Sequence, residues 1–159
     1  MRSALWPAID SRIQDARRAS PGTPVNDKFL YLDSSAILKI IVPEPESKVL
    51  FELLRDWPVR VSSELAWAEV LRALRRADAT VPQFRRGQKV LDRIGWMPVD
   101  SRILKDAALL KPASMRSFDA IHLATARSLG GELAALVTYD VRLSAAASGA
   151  KLKVWSPSP

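Results

Sequence analysis

Apolar and polar positions follow two rhythms along this chain. Short apolar runs read as strands: Phe29–Leu32, Pro58–Ser62 with Val59 and Val61 in alternation, Trp96–Val99, Leu133–Thr138 and Leu152–Trp155. Between them, apolar residues recur at helical spacing. These stretches predict helices over Ala36–Ile41, Ser47–Asp56, Ser63–Ala79, Val81–Ile94, Ser101–Lys111, Arg116–Arg127 and Val141–Ala147. In Arg116–Arg127 the positions Ile121, Ala124 and Thr125 form a face able to pack on a sheet. In Ser63–Ala79 the apolar stripe reads as Leu65, Ala68, Leu71 and Leu74. Pro43, Pro45, Pro112 and the pair Gly130-Gly131 punctuate the pattern. Because strands and helices alternate, the expected fold class is α/β: a three-layer α/β/α domain with a mostly parallel sheet over residues 29–156. Residues 1–28 differ. A weak helical pattern (Leu5, Ile9, Ile13, Ala16) is broken by Pro21-Gly22-Thr23-Pro24, which reads as an N-terminal arm, helical or disordered, ahead of the domain.

Composition narrows the chemistry. Hydrophobic residues make up 48% of 159, enough for a full core, and there is no cysteine and one histidine. Disulfides, zinc–thiolate sites and thiol nucleophiles are therefore excluded, and a metal would have to be held by oxygen. No apolar run approaches the ~20 residues of a membrane span, and the N-terminus lacks the apolar core of a signal peptide, so the expected location is the cytoplasm. The net charge of +7 and pI near 10.1 favour a polyanionic partner, nucleic acid first among them, over a surface that is basic only for solubility.

Four acids stand out. Asp33 directly follows the Phe29–Leu32 run, and Asp140 follows Leu133–Thr138. Sites in open parallel sheets form at the carboxyl ends of strands. Asp33 could instead cap the next helix, but Ser34 or Ser35 can do that and leave it free. Asp119 sits in the first turn of its helix, where the macrodipole favours a negative charge, with His122 one turn on in a packing or supporting role. Glu69 lies in the Ser63–Ala79 helix with Arg72 and Arg76 on nearly one face. Its bland alternative is a pair with Arg72 worth only ~0.2–0.5 kcal/mol. Four carboxylates without cysteine form a hard-cation set, suited to Mg²⁺ or Mn²⁺ completed by water, and crowding them without a metal would raise their pKa values. Asp33, Glu69, Asp119 and Asp140 are thus the candidate catalytic and metal-binding residues, with Ser34, Arg116, Arg72 and Arg76 as candidate substrate contacts. Arg85, Lys89 and Arg93 form a stripe that reads as a solvated face. Ile40, Ile41 and Val42 exceed what one buried face requires and suggest a partner surface.

Tyr31-Leu32-Asp33-Ser34-Ser35-Ala36, Glu69-Val70-Leu71-Arg72-Ala73-Leu74, Arg116-Ser117-Phe118-Asp119-Ala120-Ile121-His122-Leu123-Ala124 and Thr138-Tyr139-Asp140-Val141-Arg142-Leu143 together resemble the PIN-domain family, most closely the toxins of VapBC toxin–antitoxin systems. The likeness runs from about Phe29 to Trp155 and rests on the order and spacing of all four stretches. The arm before Phe29 is a departure from it. The resemblance implies a Mg²⁺-dependent endoribonuclease leaving 5′-phosphate and 3′-hydroxyl ends, a homodimer, and inhibition by a small VapB-like antitoxin whose C-terminal segment covers the groove. An arginine of that partner set among the four acids fits bidentate pairing. Two readings from other classes stand beside it. One is a haloacid-dehalogenase-like phosphotransferase with Asp33 as nucleophile, although Ser35 stands where such enzymes usually carry a second acid. The other is a non-catalytic RNA- or protein-binding domain, which has no use for four gathered acids.

Overall fold

The computed structural model describes residues 28–159, so all but the last residue of the expected N-terminal arm lie outside the described residues. The central strand, β1 (Phe29–Leu32), is buried at every position, as befits a short continuous apolar run covered on both faces. It pairs in parallel with β2 (Arg60–Ser63) on one side, Tyr31 opposite Val61, and with β4 (Leu133–Val137) on the other, Leu32 opposite Val137. β3 (Gly95–Met97) and β5 (Val154–Trp155) complete the order β3-β2-β1-β4-β5. Every pairing is parallel. The chain builds outward from β1 through β2 to β3, then returns to start β4 on the opposite flank. That reversal makes the carboxyl ends of β1 and β4 the topological switch point, where α/β sheets open a crevice.

The helices are α1 (Ser34–Ile41), α2 (Ser47–Arg55), α3 (Glu64–Arg76), α4 (Val81–Leu91), α5 (Ser101–Ala108), α6 (Ser117–Ser128) and α7 (Val141–Gly149). The period-two alternation of β1 sorts them into layers. Leu30 and Leu32 join Ile37, Ile41, Leu50, Val70, Leu74 and Leu91 in one core, under α1 to α4. Phe29 and Tyr31 join Leu123, Ala126, Leu143 and Ala147 in the other, under α6 and α7. Helix α5 packs outside α6 through Ile103, Ala107, Ala120 and Ala124.

Tertiary packing moved several faces. In α3 the buried residues are Ala66, Val70 and Leu74; of the expected stripe only Leu74 is fully buried, Leu65 and Leu71 are half-buried and Ala68 is exposed. In α6 the sheet-facing residues are Leu123 and Ala126, while Ala124 and Ile121 turn to α5. Both helices carry apolar residues on more than one side, so local periodicity leaves the choice of face to the neighbours. Ile40 and Ile41 are core residues, not partner surface: α1 is enclosed by the sheet, α3 and α4 and buries more than one face. Gly87 makes that close packing possible, since a Cβ there would stand 3.0 Å from Leu74 Cδ1. Boundaries shifted for local reasons. β3 ends before Pro98, which has no N–H for the ladder, and α3 stops where Asp78 takes φ +47°.

Candidate active site

Asp33 is the residue at which the switch-point crevice opens. Its N–H bonds Val137 O, 3.1 Å away, holding it between β1 and β4. Only 4% exposed, its carboxylate is fully engaged. Oδ1 accepts from Ala36 N at 2.9 Å and Ser35 Oγ at 2.7 Å, while Oδ2 lies 2.9 Å from Ser35 Oγ and accepts from Thr138 Oγ1 at 2.7 Å. Asp33 itself therefore caps α1, contrary to the expectation that Ser34 or Ser35 would free it from that task. Burial pushes its pKa up, against the lowering effect of those hydrogen bonds and of His122. A carboxylate with both oxygens enclosed this way makes a poor nucleophile, which removes the basis of the phosphotransferase reading.

Thr138 ties the two strand ends together. Besides donating to Asp33, its Oγ1 accepts from Asp140 N at 3.0 Å. Asp140 caps α7 through Oδ1, which accepts from Arg142 N at 2.7 Å and Leu143 N at 3.0 Å. Ser35 completes the tie by accepting from Tyr139 N at 2.8 Å.

Glu69 comes from α3, half-buried, and Arg72 is not its partner. Its Oε2 accepts from Ser34 Oγ and lies 2.7 Å from His122 Nε2. Burial pushes its pKa up, but the His122 hydrogen bond and charge and the Ser34 bond outweigh that, leaving it below the usual glutamate value. His122, 3% exposed, places Nδ1 2.8 Å from the Tyr31 hydroxyl, which also accepts from Ser63 N at 3.1 Å. Nε2 presents an N–H to Glu69 in either protonation state. In the neutral ring Tyr31 donates to Nδ1; in the imidazolium both nitrogens donate and Tyr31 accepts. One buried relay thus runs from β2 through β1 and α6 to α3, fixing Glu69. Burial drives the Tyr31 hydroxyl far above the ordinary tyrosine range, so it stays protonated.

Asp119, in the first turn of α6, has a different character. Its Oδ2 is buried without a hydrogen-bond partner among the described residues. Burial and the charge of Asp140 raise its pKa, Arg116 and His122 oppose that, and Glu69 adds to the rise. Asp119, Asp140 and Glu69 therefore share one electrostatic neighbourhood. Among the described residues no three acidic or histidine side chains converge into a ready-made cage for a metal. Yet a hard cation that keeps most of its water needs only one or two carboxylates, and a buried, unpartnered carboxylate oxygen beside a second acid offers that. The donor set fits Mg²⁺ or Mn²⁺.

Of the remaining candidates, Ser34 serves Glu69, Arg116 is exposed at the start of α6, and Arg72 and Arg76 are exposed on α3. Sequence reasoning missed Tyr31, Ser63 and Thr138 as site residues. Each is a polar group at or next to the carboxyl end of a strand of the parallel sheet, and that is the signal that could have found them.

A wholly parallel α/β domain with carboxylates round the β1–β4 crevice defines a class, and the chain belongs to the PIN-domain family, whose model matches residues 30–149. It is 46% identical to Ribonuclease VapC46 of Mycobacterium tuberculosis over 129 residues, which are 81% of this chain and 98% of that protein. It is 39% identical to Ribonuclease VapC35 of the same species over 137 residues, covering 81% and 97%. Two solved structures share the fold. FitAcB from Neisseria gonorrhoeae superposes with TM-score 0.64 at 18% identity, covering 80% of this chain and 97% of that one. A toxin–antitoxin complex from Klebsiella pneumoniae gives 0.61 at 23% identity, with coverage of 80% and 97%.

Proposed function

We propose that this chain is an endoribonuclease of the VapC type, the toxin of a toxin–antitoxin pair, hydrolysing phosphodiester bonds of RNA at the crevice between β1 and β4. The observation that carries the reading is the 46% identity to a named ribonuclease across nearly all of that protein. The acids gathered at the switch point supply the chemistry that such an activity needs. We assign Asp33, Glu69, Asp119 and Asp140 as the catalytic set and as the residues that would hold Mg²⁺ or Mn²⁺. A bound divalent ion acidifies water and neutralises charge on the phosphodiester.

The chain's own residues prepare that site. Ser35 and Thr138 fix Asp33, Tyr31 and His122 fix Glu69 with Ser34, and α7 fixes Asp140 by its own first-turn amides. Asp119 keeps one oxygen free of any such tie. Arg116, Arg72 and Arg76, exposed on α6 and α3, are suited to phosphates of the backbone, and the net charge of +7 draws the polyanion in. The partner is a small antitoxin that places an arginine among the acids. Exposed Leu104, Leu109 and Phe118 support pairing of two copies. Its place is the cytoplasm, where cellular RNA is the substrate at hand; no helix among the described residues is long and apolar enough to cross a membrane.

The test is cleavage of single-stranded RNA by the purified chain with Mg²⁺ or Mn²⁺, and its loss in Asp119→Asn. End-mapping should give 5′-phosphates and 3′-hydroxyls. RNA left intact under every divalent ion, by a folded and antitoxin-free chain, would sink the reading.

A further inference from the structure

Beside the crevice lies a cleft that the four acids do not explain. It is a cavity of about 630 Å³ between the segment 111–116, the start of α6 and the outer face of α7. Asp119 forms part of its wall, so it opens directly onto the acid site. Three cations line it, Lys111, Arg116 and Arg142, and none of them forms an ion pair with a carboxylate among the described residues. Apart from Ser114 the other walls are apolar: Pro112 and Met115 on one side, Ala145 and Ala146 on the other. Small residues of α7 keep it open. At Gly149 nothing stands within 4 Å of where a Cβ would be.

We propose that this cleft is a nucleotide subsite, which takes one unstacked nucleotide of single-stranded RNA next to the scissile phosphodiester. The proposal rests on the ribonuclease reading and adds to it where the neighbouring nucleotide goes. Charge decides for a polyanion, since three cations line the cleft against a single acid. Shape decides for a base as well as a phosphate. A purely electrostatic track would be shallow and polar, whereas this cleft is walled by apolar side chains of the kind a base packs against, and its volume lies in the range of small-ligand pockets. A duplex cannot enter a cleft of this size, while a base splayed from a single strand can. Lys111, Arg116 and Arg142 hold the phosphates on either side of it. Arg142 does so from the second half of a divided role: its backbone N–H caps onto Asp140 at 2.7 Å, which leaves its exposed side chain free for substrate.

The test uses the full chain in chelator, so that RNA is bound and not cut. Affinity for a single-stranded oligoribonucleotide is measured by fluorescence anisotropy across a salt series, beside a ribose-phosphate strand of equal length without bases. Lys111→Ala and Arg142→Ala should each weaken binding roughly fivefold and flatten the log–log salt dependence by about 0.7. Ala145→Trp changes an exposed residue and fills the cleft without touching a charge. It should erase the parent's preference for the strand with bases and leave the salt slope as it was. Arg85→Ala, on the solvated stripe of α4, should match the parent. If the parent cleaves and binds RNA while Lys111→Ala, Arg142→Ala and Ala145→Trp all stay within about twofold of it, the subsite is wrong and the ribonuclease reading stands. If the parent neither binds nor cleaves RNA, both fall together.

Discussion

Replacing Tyr31 by Phe removes one oxygen atom and no volume to speak of, so it isolates the relay that fixes Glu69. The lost hydroxyl accepts from Ser63 N at 3.1 Å and meets His122 Nδ1 at 2.8 Å. Tyr31 and Ser63 are wholly buried and His122 nearly so, so water cannot take the oxygen's place. An orphaned buried donor costs about 1–3 kcal/mol, and the lost bond to His122 adds about 1 kcal/mol, for a total of roughly 2–4 kcal/mol. At about 2–4 °C per kcal/mol for a chain of this size, the melting temperature should fall by roughly 5–15 °C. Tyr139→Phe is the internal control. That hydroxyl makes one half-buried bond, to Pro157 O at 2.8 Å, and its loss should cost only about 0.5–1.5 kcal/mol. Thermal melts and urea titrations of both variants give the comparison. RNA cleavage measured well below the melting point should also drop for Tyr31→Phe, because His122 loses the partner that orients it toward Glu69, and hold for Tyr139→Phe. A Tyr31→Phe variant no less stable than Tyr139→Phe would show that the relay is not a closed buried network.

Asp119→Asn and Asp140→Asn should each lower cleavage by roughly two orders of magnitude or more, as expected for groups acting on the reaction's charge, and leave far-UV circular dichroism unchanged; a folded variant with parental rates would take that acid out of the site. For Asp33 the sign follows from its raised pKa. The folded state holds the proton more tightly than the unfolded one, so metal-free stability falls as pH rises from the ordinary carboxylate range through the raised value. Asp33→Asn lacks that loss, so without metal it should melt above the parent at pH 7, with the gap closing toward pH 4; a variant that melts below the parent at pH 7 would show that the hydrogen bonds outweigh the buried charge. Cleavage stopped by chelator should return with Mg²⁺ or Mn²⁺ and not with Zn²⁺, as read on a denaturing gel, and recovery with zinc alone would contradict the hard-cation assignment. Gly87→Leu should destabilise by about 1–3 kcal/mol through overpacking against Leu74 and Ile41, measured by urea titration; parental stability there would mean that α1, α3 and α4 have slack the structure does not suggest.

What the sequence determined by itself was the kind and order of the elements, which local periodicity carries. The run Phe29–Leu32 could only be a covered strand, and the alternation of strand and helix left little but a three-layer parallel fold. Asp33 and Asp140 were legible as candidate site residues because each lies just past the end of a strand, and the strand ends of such a fold are where a crevice can open. The tertiary structure decided what depends on neighbours far along the chain. Whether Ala66 or Ala68 faces inward on α3 turns on how α1 is wedged against it, which no window of sequence contains. For Glu69, sequence spacing offered only Arg72 as a nearby partner; its actual partner, His122, lies 53 positions away and is brought there by the return of the chain across the sheet. The same return sets Thr138 against Asp33 across 105 positions and encloses one oxygen of Asp119 without a partner among the described residues. Spacing fixes which way a side chain repeats along its own element, but only the order of strands in the sheet fixes what it meets.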